Sequence, residues 1–139
     1  MIIHLFCFVV SYDIWFYFSH ILLHNIHLYK LIHKYHHQKD YSILQFTDNY
    51  VGHILEGPFQ GVGILVPFVF MDANMYAFVS AIILINVRGM MRHDNRFIPL
   101  IGNHHILHHK YPRYNFGEYW LDKLFMTNYP NMNEYKFEK

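Results

Sequence analysis

Apolar residues in this chain fall into three long runs, and polar segments rich in histidine separate them. The first run predicts a membrane helix from Ile2 to His27, whose apolar part covers roughly 25 Å of a bilayer. The second run, 55–71, is interrupted by glycines and prolines, so we expect a kinked helix. A turn signal at 72–74 precedes the third run, 75–87. These runs predict a helical hairpin that enters the membrane and returns to the side it came from.

Polar residues of the first predicted helix form a single stripe. The members of the stripe are Asp13, Tyr17, His20, His24 and His27. Their spacing of four, three, four and three residues is that of one helical face. An acid inside an apolar helix is costly, so we expect a histidine of the same stripe to pair with Asp13. The alternative is that Asp13 lies at a helix end and its carboxylate reaches water.

Two boxes of the pattern H-x-x-H-H lie outside the apolar runs. They are His33-Lys34-Tyr35-His36-His37 and His105-Ile106-Leu107-His108-His109. A single histidine is more often a solvated or core residue, but positions i, i+3 and i+4 of an α-helix share one face. Each box could therefore direct three imidazoles to one metal ion. Because His104 precedes the second box, His104, His105 or both could bind; the three-residue spacing to His108 favours His105.

Composition and charge fit one all-α integral membrane bundle with a cytosolic, histidine-rich cap, and a single domain over 1–139. The chain is 53% hydrophobic and 19% aromatic, and its net charge of +1 suggests no nucleic-acid partner. Its one cysteine, Cys7, can form no internal disulfide. The eleven Lys and Arg residues lie outside the apolar runs and the hairpin turn. We expect them on the cytosolic side, together with every histidine except His4.

The residue types narrow the metal chemistry. Structural zinc sites favour several cysteines, and only one is present. Carboxylate-type di-iron bundles use Glu-x-x-His pairs, which this sequence lacks. A cluster of eight or more histidines suggests two metal ions held by neutral imidazoles, with open positions for oxygen. Imidazole suits iron, copper and zinc, so the ligand type alone does not select iron.

These motifs resemble the fatty acid hydroxylase and sterol desaturase superfamily, a group of membrane histidine-box di-iron oxidoreductases. The resemblance runs in order from Asp13 to Thr127, and its wording is nearest to sterol 5-desaturase-like members. The matching segments are Asp13, Tyr17, His20 and His24; the box 33–37; His53 with Glu56; His93-Asp94; the box 105–109; Asn115-Phe116-Gly117; and Leu121-Asp122-Lys123-Leu124-Phe125.

The chain departs from the superfamily pattern at three positions. Ile21 stands where Arg is usual, Ile106 where Asp is frequent, and Met126 where the pattern has Gly. The chain also begins almost at the first motif, so we expect a minimal version that lacks the usual N-terminal membrane helices.

The resemblance implies an oxygen-dependent di-iron enzyme that hydroxylates or desaturates a C–H bond of a sterol or fatty acyl lipid, in lipid or sterol biosynthesis. It implies two Fe ions and O2 as co-substrate. The implied metal ligands are His20, His24, His33, His36, His37, His53, His93, His105, His108 and His109, with His104 as the open alternative. The residues expected to orient these imidazoles are Asp13, Tyr17, Glu56, Asp94, Asn103 and Asn115.

The same resemblance implies an electron donor such as cytochrome b5 with its reductase, and a location in the endoplasmic reticulum or another internal membrane. A homo-oligomer is compatible with it. Trp15, Phe16 and Phe18 could line a lipid slot or simply face the membrane.

Two other functions compete with the enzyme. One is a lipid-binding relative that has lost catalysis through truncation, which the expected lack of N-terminal helices and the three departures favour. The other is a histidine-rich membrane protein that binds or transports metal. Transport sites lie within the membrane spans, whereas nearly all histidines here lie at the ends of the apolar runs or beyond them.

Overall fold

A computed structural model of the chain describes residues 1–72 and 74–136. Ala73 of the expected turn and residues 137–139, which include Lys139 and the end of the expected domain, lie outside the described residues. Within the described ranges the secondary structure is entirely helical.

Eight α-helices and several 3-10 turns make up the described chain. The α-helices are α1 (Ile2–Leu23), α2 (Ile26–Leu31), α3 (Glu56–Gly61), α4 (Pro67–Phe70), α5 (Met75–Arg92), α6 (Ile98–Ile101), α7 (His104–Lys110) and α8 (Tyr119–Leu124). The 3-10 turns are His33–Tyr35, Tyr41–Ile43, Phe46–Tyr50, Val62–Leu65, Asn95–Phe97 and Met132–Glu134.

Helix α1 is shorter than the sequence pattern predicts. It ends at Leu23, and Asn25 begins a new helix by accepting a hydrogen bond from the backbone N–H of His27 at 3.1 Å. Asparagine is a favoured N-cap because its short side chain satisfies a backbone donor of the first turn. His27 therefore lies on α2, where it is exposed, and does not belong to the α1 stripe.

Helices α1 and α5 run side by side in the same direction. At one end, Nδ1 of His4 accepts a hydrogen bond from the backbone N–H of Asn74 at 2.9 Å. Along their contact, Phe8 packs on Ala77 and Ala81, all three fully buried. Small side chains allow two helices to approach closely. The C-terminal ends of both helices therefore reach the same end of the bundle.

Helices α1 and α5 are long and apolar enough to cross a membrane. Only 22% and 17% of their apolar windows are buried inside the protein, whereas a core helix of a soluble domain would be mostly buried. Large apolar side chains such as Phe6, Phe18 and Ile83 are exposed along them. The chain is accordingly an all-α membrane helical bundle.

The expected kinked helix is a broken one, made of α3, the 3-10 turn Val62–Leu65 and α4. Pro67 occupies the start of α4, where its missing N–H costs no hydrogen bond. Gly63 lies directly against α1: a Cβ at this position would lie 2.2 Å from Cβ of Trp15 and 2.9 Å from the carbonyl oxygen of Ser11. The absence of a side chain at Gly63 lets this segment pack on α1.

The expected pairing of Asp13 with a histidine is wrong. Asp13 faces α5, where both terminal guanidinium nitrogens of Arg88 donate to its carboxylate. Nη1 of Arg88 also lies 2.8 Å from Oε1 of Glu118, and Arg92 pairs with the same Glu118 oxygen. Asp13 is only 5% exposed, and a buried acid with a bidentate arginine partner needs no histidine. The four charges join α1, α5 and the segment before α8.

We predict that Gly63→Ala lowers the free energy of unfolding by about 1–3 kcal/mol, because the added methyl group would overlap two groups of α1 that cannot move easily. Gly57→Ala is the matched control, since a Cβ there has no neighbour within 4 Å. Thermal denaturation of the three proteins in detergent micelles measures the difference. Equal destabilisation by both substitutions would contradict the close packing at Gly63.

Candidate metal centre

Nine histidines converge at the C-terminal ends of α1 and α5. Group A comprises His20, His24, His33, His37 and His108; group B comprises His36, His93, His105 and His109. Within each group, one ring nitrogen from every member lies within 4.8 Å of the others. The two groups are adjacent, because the rings of His37 and His109 have centroids 4.5 Å apart. Two neighbouring clusters of imidazole nitrogens are thus available for metal ions.

Each H-x-x-H-H box contributes to both groups, which corrects the expectation that a box serves one point. His33 and His37 join group A while His36 joins group B, and in the other box His105 and His109 join group B while His108 joins group A. The first box lies on a 3-10 turn followed by irregular chain, rather than on an α-helix. In each box the histidines at positions i and i+4 belong to the same group, and the histidine at position i+3 belongs to the other group.

Backbone carbonyls hold four of these rings by their Nδ1 atoms. The distances are 2.5 Å from His20 to Phe116, 2.6 Å from His108 to Tyr114, 2.8 Å from His93 to Gly89 and 2.9 Å from His36 to Val51. A carbonyl oxygen only accepts, so Nδ1 carries the hydrogen in each ring. In the neutral imidazole, Nε2 then presents a lone pair. The protein thereby directs Nε2 toward the centre of each group.

The rings of His36 and His93 face each other through two Nε2 atoms that both carry lone pairs. Both Nδ1 atoms donate to carbonyls, yet the two Nε2 atoms lie 3.0 Å apart. Burial lowers the pKa of His36 and lowers that of His93 to about 3, so both rings are neutral near pH 7. Two lone pairs cannot hydrogen-bond to each other. A cation between the rings would satisfy both, so the donor set fits a metal ion.

His109 supports the same conclusion for group B. Both of its ring nitrogens are buried and have no hydrogen-bond partner in residues 1–72 and 74–136. Buried polar atoms are nearly always paired, and each exception requires an explanation. A metal ion bound in group B would provide a partner for the ring nitrogen that carries the lone pair.

Among the six residues expected to orient the imidazoles, Glu56 contacts a clustered histidine through its side chain. Its Oε1 lies 2.7 Å from Nδ1 of His33. In the part of the chain that the structure describes, the side chains of the other five bind groups other than the clustered imidazoles. Asp13 binds Arg88, Tyr17 binds Thr127, Asp94 binds Arg96, Asn103 binds the backbone of Glu134 and Lys136, and Asn115 binds the backbone of His104 and Tyr129.

His53 and His104, both candidate ligands from the sequence, lie outside the two groups. His53 follows the turn Phe46–Tyr50, and its Nδ1 accepts the backbone N–H of Leu55 at 3.2 Å. Nε2 of His104 lies 2.9 Å from Oδ2 of Asp122. Of the doubled histidine, the structure therefore places His105 in the cluster and His104 against an acid.

A cavity of about 370 Å³ opens onto both groups, with His20 and His93 among the residues that line it. Phe16 also lines this cavity, as expected for a lipid slot. Trp15 instead donates its indole N–H to the carbonyl of Phe59 at 2.8 Å, and Phe18 is 51% exposed on the outer surface of α1. A ligand in the cavity can therefore reach both candidate metal sites.

The fold and the site define a histidine-rich membrane protein with two adjacent candidate metal sites beside one cavity. The sequence pattern of the fatty acid hydroxylase family matches residues 5–127. The chain belongs to that family.

Several curated proteins are similar to the chain. A tobacco (Nicotiana tabacum) Delta(7)-sterol-C5(6)-desaturase is 31% identical over 122 residues, which cover 80% of this chain and 44% of the relative. Mouse lathosterol oxidase is 32% identical over 131 residues, 85% of this chain and 43% of the relative. The human lathosterol oxidase is 28% identical over 129 residues, which cover 86% of this chain and 42% of the relative. The chain spans less than half the length of these relatives, and no solved structure matches it.

We predict that His53→Ala leaves the metal content of the purified protein unchanged, whereas His93→Ala lowers it by about one ion per chain, because only His93 belongs to a group. Elemental analysis of both variants after detergent extraction measures the difference. Metal loss in His53→Ala equal to that in His93→Ala would contradict the grouping of ligands.

We predict that the metal-free protein loses stability as the pH falls from about 6.5 toward 4. Burial lowers the pKa of His24 from 6.5 to about 4, so in this window the unfolded chain binds a proton that the folded chain does not. Stability therefore rises with pH across the window and falls on acidification. Melting temperatures of the metal-free protein between about pH 7.5 and pH 5 measure the effect. A melting temperature that stays constant would contradict it.

Proposed function

We propose that the chain is an oxygen-dependent di-iron oxidoreductase that hydroxylates or desaturates a C–H bond of a sterol or fatty acyl lipid. The observation that carries this proposal is the pair of adjacent imidazole groups at the wall of a single cavity. The relatives are named for sterol desaturation and lathosterol oxidation, and the matching family is named for fatty acid hydroxylation.

The histidines would hold two iron ions, one in each group, through neutral Nε2 atoms. When bound, two ferrous ions would supply the reduction of O2 that oxidation of an unactivated C–H bond requires. The carbonyls of Phe116, Tyr114, Gly89 and Val51 keep the rings in the tautomer that presents Nε2. Glu56 also orients the ring of His33, because its Oε1 contacts Nδ1 of that ring.

The cavity is suited to a neutral, largely apolar substrate. Its basic side chains, Arg88 and Arg92, are both paired with Asp13 or Glu118. The side chains of the wall therefore carry no uncompensated positive charge of their own. Phe16 and Ile85 provide apolar surface. A lipid whose reacting carbon lies beside the histidine groups meets these conditions.

The same proposal includes a supply of electrons and an orientation. Reduction of O2 needs electrons, for which a carrier such as cytochrome b5 with its reductase is proposed. The histidine groups lie at one end of α1 and α5, and exposed Lys30 and Lys34 lie in the cap just beyond α1. A cytosolic cap on the endoplasmic reticulum or another internal membrane would accord with the positive-inside rule.

Expression of the chain in a membrane host tests the proposed function. We expect about two iron ions per chain and oxygen-dependent appearance of hydroxylated or desaturated lipids, with both lost in a His36→Ala and His108→Ala double variant. Leu124→Ala, on an exposed residue of α8, is the matched control. A folded wild-type protein without iron and without lipid products would overturn the proposal.

The departures from the superfamily pattern do not favour a degenerate relative, since none of them falls in either histidine group. Ile21 is exposed and Ile106 is buried in α7. Met126, which stands where the pattern has Gly, adopts a positive φ of 57°. This left-handed conformation favours glycine, because a side chain there clashes with the backbone. The chain keeps the turn and tolerates the strain.

We predict that Met126→Gly raises the free energy of unfolding by up to about 1 kcal/mol, because glycine relieves the strain of a positive φ. Leu124→Gly is the control: Leu124 lies in α8, where glycine costs about 1 kcal/mol. Thermal denaturation in detergent compares the two variants with the wild type. A less stable Met126→Gly protein would contradict the strain at this position.

A further inference from the structure

Asp122 is a fully buried acid that belongs to neither histidine group. Four donors bind its carboxylate. Oδ1 accepts from the backbone N–H of Phe116 at 2.8 Å and from the hydroxyl of Thr127 at 2.7 Å, and Oδ2 accepts from the backbone N–H of Gly117 and from Nε2 of His104, both at 2.9 Å. A carboxylate with this many donors is held in one orientation.

One of these bonds leads directly to group A. The peptide group between Phe116 and Gly117 is trans, so its N–H and C=O point in opposite directions. The N–H of Gly117 binds Asp122, and the C=O of Phe116 accepts from Nδ1 of His20 at 2.5 Å. This peptide group therefore lies between the carboxylate and the imidazole. The position of Asp122 fixes the carbonyl that orients His20.

A second bond holds the helix that carries His20. The hydroxyl hydrogen of Thr127 is directed to Asp122, so the hydroxyl of Tyr17 must donate to Thr127, at 2.9 Å. Tyr17 lies on α1, three residues before His20. Asp122 thus restrains α1 at two points, one on the helix and one on the ring of its ligand.

The third connection runs to α7. Because the carboxylate only accepts, Nε2 of His104 carries the hydrogen and is committed to Asp122. The following residue, His105, points into group B, and His108 points into group A one turn later. The adjacent residues His104 and His105 therefore have different roles. His104 attaches α7 to the segment 115–127 through Asp122, and His105 is available to bind a metal ion.

We propose that Asp122 is a positioning residue that sets the imidazole of His20 through the peptide of Phe116 and Gly117, and sets α7 through His104. This inference rests on the proposed metal centre, since it concerns the residues that would hold the ions. It assigns to Asp122 and His104 a role in metal affinity without direct contact with a metal.

Binding of Co(II) to the full chain in detergent micelles tests this role. In Asp122→Asn an amide NH2 replaces the oxygen that accepts from Gly117 or Phe116, and two N–H groups then face each other. We expect the peptide to rotate and the ring of His20 to follow. The affinity for Co(II) in group A, which contains His20, should fall about 10- to 100-fold, and the visible d–d spectrum should change. The Co(II) ion in group B should stay bound.

Asp13→Asn is the matched control, because Asp13 is also a buried acid but its ion-pair partner is Arg88. It should lower the melting temperature and leave both Co(II) affinities and the spectrum unchanged. His104→Gln should retain two Co(II) ions, with a shifted spectrum. Loss of one ion in His104→Gln would make His104 a ligand and overturn the inference.

The outcomes separate this inference from the proposed function. If the wild type binds no Co(II), the proposed metal centre fails. If the wild type binds two ions and a folded Asp122→Asn binds them with the same affinity and spectrum, the role of Asp122 fails. If Asp122→Asn does not fold, the Co(II) spectra of Thr127→Val and His104→Gln test the role of Asp122 instead. Wild-type spectra in both variants would overturn the inference.

Discussion

The site depends on the repulsion between buried imidazole lone pairs. Carbonyl acceptors fix the hydrogens of His36 and His93 on Nδ1, and the packing brings the Nε2 atoms of these two rings to 3.0 Å from each other. Burial lowers the pKa of both rings and keeps them neutral, so a proton cannot relieve this contact. The Nε2 atoms of three further ring pairs lie 2.9–3.1 Å apart. Binding of cations would convert an unfavourable arrangement into a favourable one. Metal binding would then be part of the folding free energy of the cap.

The remainder of the structure can be understood as the scaffold that makes this arrangement possible. Helices α1 and α5 pack closely through the small side chains of Ala77 and Ala81, and their C-terminal ends reach the same end of the bundle. Gly63 lets the broken helix pack on α1. The segment 115–127 closes the site from the other side through Asp122. Histidines from distant parts of the chain meet as a result.

Part of this site could be predicted from the sequence. The spacing of the boxes and the stripe on α1 identified eight of the nine histidines that converge, and the ninth, His93, came from the superfamily resemblance. The apolar runs identified α1, the broken helix and α5. The division into two groups was not predictable, because it depends on how α7 faces the turn at His33. Backbone carbonyls have no signature in the sequence, so the partners of Nδ1 were missed. The partner of Asp13 lies 75 residues away on another helix, beyond any periodicity.

The superfamily resemblance suggested roles for Glu56 and His53, and the structure places these two side chains differently. It led to Glu56, whose carboxyl group contacts the ring of His33 rather than the ring of the nearby His53. It also suggested His53 as a ligand, because an imidazole next to an acid resembles a metal site in sequence. In the structure His53 uses Nδ1 to accept from its own loop. Proximity in sequence to a charged residue did not determine which ring enters the cluster.

Hydrogen–deuterium exchange of the protein with and without Fe(II) tests the central claim most directly. If cations between the imidazoles stabilise the cap, then iron should slow amide exchange in 33–37 and in α7 by at least about tenfold. Exchange in the apolar half of α1 should change little. Equal exchange in the cap with and without bound iron would contradict the account.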